Sequence, residues 1–136
     1  VSCDNAHALH PNHAEKTDAV NFVTMNGGIV IKESANQKYT TDAFSRALFT
    51  GVCQNVNVPV QSFANRSDVV GGSTLGNLSN TQVSVHAVDF GLAQLAMHSC
   101  FETAGVKDTE YAIVALKEFY ETNVQIEEAE SVCLEK

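Results

Sequence analysis

The sequence predicts an α/β fold: a mainly parallel sheet flanked by helices, forming part of a larger domain. Three observations carry this. Short β-branched runs alternate with segments of helical period, the connections between them are rich in Gly, Asn, Asp and Ser, and an apolar opening runs straight into a stretch of aspartate and histidines. With 136 residues, 44% of them hydrophobic, the chain can bury one genuine core.

Val1 and Cys3 read as the end of a strand already under way, so the chain is expected to continue a longer polypeptide. Asp4, His7, His10 and His13 follow at intervals of three. That spacing is open to two readings. It suits a solvated turn, shortened by Pro11, which disfavours helix in the residue before it. It also suits part of a site for a borderline cation such as zinc, which accepts carboxylate and imidazole. Strand ends are where α/β sheets place their chemistry, and His98 is the distant imidazole that would complete a pair with Asp4.

Residues 15–26 read as a polar surface loop closed by Gly27-Gly28. Ile29-Val30-Ile31-Lys32-Glu33 is a β-branched run and predicts a strand with Lys32 near its end. Thr40-Thr41-Asp42 supplies a cap for a helix over 42–55, with an apolar stripe of Ala43, Phe44, Ala47, Leu48, Phe49 and Val52. Residues 58–63 predict a second strand. A glycine-rich loop follows (Gly71, Gly72, Ser73, Thr74, Leu75, Gly76), whose amides could approach a ligand, although the pattern is neither a Walker loop nor a dinucleotide fingerprint. A short helix over 75–82 and a strand over 83–90 come next, with His86 facing outward. A final helix over 108–123 carries Tyr111, Val114, Ala115, Glu118 and Phe119 toward the core, and Lys117 and Glu121 outside.

The formal charge of -8, with eight Lys plus Arg, argues against a nucleic-acid backbone or an anionic membrane as partner. Residues 1–123 read as one unit, and 124–136 as a frayed acidic tail bearing Glu127, Glu128, Glu130 and Glu135. No apolar run has the length of a membrane span. The four cysteines (Cys3, Cys53, Cys100, Cys133) show no C-x-x-C pairing and are expected to be buried thiols in a reducing, cytoplasmic compartment.

The run from Cys3 to Asn12, the segment Asn36-Gln37-Lys38-Tyr39, the pair of motifs Asn65-Arg66-Ser67-Asp68 and Gly72-Ser73-Thr74-Leu75-Gly76, and Val88-Asp89-Phe90-Gly91 with Gln94-Leu95-Ala96-Met97-His98-Ser99 together resemble the aspartyl aminopeptidase family. These are dinuclear-zinc exopeptidases. The matches lie in order and reach about Tyr120. The resemblance implies a zinc-exopeptidase-like α/β fold, a peptide substrate, removal of N-terminal residues and assembly into dodecamers. It also implies two zinc ions per complete site, with manganese or cobalt as other candidates.

By motif, Asp4 and His98 match metal ligands, and His7 matches a pocket histidine. Lys32 and Tyr39 match positions that meet the substrate in acidic-residue-selective members, and Gly72, Ser73 and Thr74 match the loop bordering the peptide. No catalytic residue is carried over, because the family's upstream histidine, bridging aspartate and paired glutamates have no counterpart in the chain. Two ligands cannot hold two zincs. The chain is therefore expected to be inactive alone and to need an upstream complement, the alternative being a non-catalytic, oligomer-forming homologue. Phe101, His86, Val70, Asn77 and Ala93 depart from the usual pattern, which bears on loop geometry and substrate choice.

Overall fold

The computed structural model describes residues 1–128 and 131–135. Its first sheet has four strands, in the order β1 (Ser2–Cys3), β5 (Asp89–Gly91), β3 (Ile29–Lys32) and β4 (Val60–Phe63). β1 runs parallel to β5 and β3 parallel to β4, but β3 and β5 are antiparallel. A second sheet joins β2 (Ala6–His7), β6 (Ala93–Leu95) and β7 (Thr103–Ala104), parallel then antiparallel. The expected α/β class stands, with mixed sheets.

β3 is apolar over Ile29–Ile31 because it is covered on both faces, and its last residue, Lys32, is buried as well. Ile29 and Ile31 pack on one side with Phe49, Cys53, Val58, Phe90 and Ala115. Val30 packs on the other with Ala6, Val23, Tyr39, Phe63 and Ala93. Val23 is thus a core residue inside what reads as a polar loop.

Helix α1 (Ala43–Asn55) begins at Asp42, whose carboxylate accepts from the Ser45 amide at 2.7 Å while Ser45 Oγ accepts from the Asp42 amide at 3.0 Å. This reciprocal cap satisfies two amides that a helix start otherwise leaves open. Its buried face is Ser45, Phe49, Val52 and Cys53; Ala43 and Ala47, expected inside, are exposed. Helix α2 (Leu75–Asn80) is short. Helix α3 (Val106–Glu121) buries Asp108, Ala115 and Glu118. The carboxylate of Asp108 accepts from the amides of Asn26 at 2.6 Å and Gly28 at 2.9 Å, tying the helix start to the turn before β3. Gly28 is required there: its φ is +111°, and a Cβ would lie 2.2 Å from the Pro59 carbonyl oxygen.

Three expectations need correction. Residues 83–88 are not strand, since Val83 and Val85 are half exposed and only Asp89–Gly91 lies between two pairing partners. Residues 124–128 and 131–135 are not frayed: β8 (Asn123–Glu128) pairs antiparallel with β9 (Ser131–Glu135), and Leu134 approaches Gly51 of α1. Glu130 and the side chains of Glu127 and Glu128 lie outside the described residues. Of the cysteines only Cys53 is buried; Cys133 is partly covered, and Cys3 and Cys100 are exposed, at the end of β1 and in the turn before β7. Among the described residues no helix is long and apolar enough to cross a membrane.

Candidate active-site cleft

The cleft forms where the two sheets meet. β1 and β2 are one run of chain interrupted at Asp4-Asn5, and β5 and β6 one run interrupted at Leu92. Pairing continues across the break, with Asp4 N donating to Phe90 O at 2.9 Å and Ala6 N to Leu92 O at 2.9 Å. Asn5 stabilises the bend: its Oδ1 accepts from Leu92 N at 3.0 Å and its Nδ2 donates to Gln94 Oε1 at 2.7 Å. Gly91 permits the strands to approach, because a Cβ there would lie 2.1 Å from the Asp4 carbonyl oxygen. The bend turns the Asp4 side chain out of the sheet into a cleft of about 230 Å³.

Asp4, His7, Lys32, Tyr39, Gly72, Ser73 and His98 all line this one cleft, together with Asn65 and Met97. His98 stands at the tip between β6 and β7 with φ +68°, in a turn where Ala96 also has positive φ. Its amide donates to Glu102 Oε1 at 2.6 Å. Strained backbone of this kind persists only where surrounding structure holds it.

Lys32 is buried, and its ammonium donates to Asp4 Oδ2 at 2.5 Å and to the Asn5 carbonyl at 3.1 Å. The same nitrogen lies 4.4 Å from the centre of the Tyr39 ring. A buried ammonium needs such partners, and this one has an anion, a carbonyl and an aromatic face. Asp4 remains 48% exposed, so its carboxylate is open on the cleft side. Tyr39 Oη accepts from Asn65 Nδ2 at 3.0 Å, which leaves its own proton free to donate.

Thr74 is placed differently from its neighbours Gly72 and Ser73. It is buried, and its hydroxyl donates to Asp89 Oδ2 at 3.0 Å, an oxygen that also receives the Thr40 amide at 2.6 Å. This knot holds the glycine loop to β5. The histidines also divide. His10 and His13, ring centres 5.1 Å apart, line a neighbouring cavity of about 360 Å³ with Lys16 and Arg66, and of these three histidines His7 alone borders both spaces, beside Phe63, Asn65 and Val69. Asn5 and Asn65, which position the bend and Tyr39, lie within motifs that carry the resemblance, but nothing local to them in the sequence points to these positioning roles.

A carboxylate and an imidazole in one cleft are donors suited to zinc, but they are two where a closed site takes four. Among the described residues no group of three or more His, Cys, Asp or Glu is arranged to hold a metal ion. The donor chemistry fits a share of a zinc site, not a whole one.

A mixed sheet flanked by helices, with polar donors at a break between strands, defines a partial α/β domain with a candidate site at the strand ends. Residues 1–120 match the family described as Aminopeptidase I zinc metalloprotease (M18), and the chain belongs to that family. It is 48% identical over 120 residues to the probable M18 family aminopeptidase 2 of Clostridium novyi, and equally to that of one Pseudomonas aeruginosa strain. In each case the match takes in 88% of this chain and 28% of the relative, so the chain spans little more than a quarter of their length.

Among solved structures, a chain in the cryo-EM structure of the Ape4 and Nbr1 complex superposes with a TM-score of 0.86 at 41% identity, covering 88% of this chain and 23% of that one. The dodecamer of mApe1 from S. cerevisiae gives 0.77 at 28% identity, covering 88% and 26%.

Proposed function

We propose that this chain supplies one wall of the active site of a zinc metallo-aminopeptidase, residues 1–123 being the C-terminal part of its catalytic domain. The observation that carries this is the single cleft that gathers Asp4, His98, His7, Lys32, Tyr39, Gly72 and Ser73 from five separate segments. Asp4 and His98 would each give one donor to zinc. Bound zinc supplies Lewis-acid polarisation of the scissile carbonyl and acidification of water.

The remaining residues bind and orient. Gly72 and Ser73 border the peptide backbone, and His7 lines the same cleft. Tyr39 holds its proton toward the cleft, where it can donate to oxygen as negative charge develops. Lys32 places a buried cation in the lining of the cleft, which favours an aspartate or glutamate as the residue removed. Asp4 is the one carboxylate among the described cleft residues, and it is engaged by Lys32. The group that accepts water's proton therefore comes from outside this chain, and the chain alone is inactive. By analogy with the mApe1 dodecamer, the assembled enzyme is a homo-oligomer, and we place it in the cytoplasm.

One observation favours the alternative of a non-catalytic homologue: the Asp4 carboxylate is paired with the buried Lys32 ammonium at 2.5 Å, an engagement that competes with its use as a metal donor. Mixing the chain with the N-terminal portion of the C. novyi relative separates the two readings. Zinc content by mass spectrometry and release of aspartate from an Asp-initiated peptide are both expected to appear on mixing, and both to be lost with Asp4→Ala or His98→Ala. A stable mixed complex without zinc or hydrolysis would establish the alternative instead.

A further inference from the structure

The cavity beside the cleft takes no part in the function proposed above, and neither do His10 and His13, which line it. Three apolar residues reach it from the core cluster around Val30: Ala8 and Phe63, both buried, and Leu95, which is half covered. The His10 ring accepts from the Asn12 amide at 3.2 Å through Nδ1, and its centre lies 5.1 Å from that of His13. Val69, also in the lining, is 49% exposed. At about 360 Å³ the space has the size of a small-ligand pocket, and like most such pockets it is lined mainly by apolar surface.

The charges around it do not favour an ionic occupant. Arg66 commits its guanidinium to Asp68 and to the Glu15 carbonyl, and Lys16 shares the lining with Asp18. What the cavity offers is aliphatic and ring surface, whose removal from water is favourable. Its fitting ligand is an uncharged, apolar group.

The position of the cavity identifies what carries that group. Cavity and cleft share His7, Phe63, Asn65 and Val69, so groups held in the two are neighbours. Successive side chains of an extended peptide point to opposite sides, and the cleft provides Lys32 for the first of them. We propose that the cavity receives the side chain of the peptide's second residue and selects a large apolar one, leucine or phenylalanine. The peptide rests on the aminopeptidase reading, whereas the selection of an apolar group rests on the lining alone. His10 and His13 then determine specificity.

Two measurements test these two halves separately. In the first, the histidine ring protons of the chain alone are followed by NMR while N-acetyl-leucine amide or N-acetyl-glycine amide is added to millimolar concentration. The His10 and His13 rings should shift saturably with the leucine compound, with an affinity about tenfold or more above that for the glycine compound, the scale of a buried leucine side chain. The His86 ring, 4.4 Å from that of Phe44 and outside the cavity lining, should not move. Ala64→Phe, which fills the cavity, and Val69→Asp, at an exposed position, should each abolish the shifts with circular dichroism unchanged.

In the second, the mixture with the N-terminal portion of the C. novyi relative is given Asp-Leu and Asp-Gly peptides of equal length. The value of kcat/KM should be about tenfold or more higher for Asp-Leu, and Ala64→Phe should remove that ratio by lowering the Asp-Leu value alone. Leucine-selective shifts beside a mixture that hydrolyses neither peptide would refute the aminopeptidase reading, and the peptide with it, while upholding the selection of an apolar group. No shift at His10 and His13, an equal response to glycine, or a hydrolysing mixture indifferent to the second residue would overturn the proposal, and hydrolysis of either peptide would keep the aminopeptidase reading in place.

Discussion

Lys32 shows how a residue's role is set by its surroundings. An ammonium this buried is stable only while its partners remain, and the chief partner is Asp4 at 2.5 Å. Asp4→Ala should therefore cost stability, by about 1–2 kcal/mol, less than a fully enclosed pair because the carboxylate is half exposed. Urea unfolding should show Asp4→Ala with Lys32→Met to be more stable than Asp4→Ala alone, since the unpaired buried charge is then gone. The cysteines make a second test. Burial pushes the Cys53 thiol up to about 12, and partial burial raises that of Cys3. A maleimide should modify Cys100 first, Cys3 more slowly, and Cys53 only on unfolding, as read by peptide mass spectrometry. Lys32 and Asp4 were both legible as site residues in the sequence, but their engagement with each other was not, because it joins positions 28 residues apart.

At the scale of elements, α1 rests on its cap. Burial alone would raise the Asp42 carboxyl, but hydrogen bonds from the Ser45 amide and hydroxyl, and then from His86, hold it below the usual carboxylate range. A lowered folded pKa means that the stabilisation is full above the unfolded carboxylate value, about 3.9, and fades as pH falls through the folded value. Asp42→Ala should cost about 1 kcal/mol near neutral pH. In thermal melts the gap from wild type should close from about pH 4 downward. The helices were legible because their periodicity and caps are local. Residues 83–88 alternate as a strand would yet form none, because alternation records a preference, and a strand forms only where a neighbour can take its hydrogen bonds. Val83 and Val85 have none and stand exposed.

For the molecule as a whole, the hairpin of β8 and β9 belongs to the fold it follows. β9 lies against α1, where Leu134 approaches Gly51. Ending the chain at Thr122 should lower stability by about 1–2 kcal/mol, the scale of one partly buried leucine, measured as a shift in the urea midpoint at constant slope.

The sequence by itself determined the α/β class, the strand of Ile29–Lys32, the capped helix after Asp42 and the residues that resemble a zinc-exopeptidase site, because each is written in local periodicity or a contiguous motif. The tertiary structure alone decided that the sheets are mixed, that Thr74 serves Asp89 while Ser73 borders the cleft, and that Lys32 neutralises Asp4. Those outcomes depend on which distant segments share a space, and burial and hydrogen-bond satisfaction settle that only once the whole chain has folded.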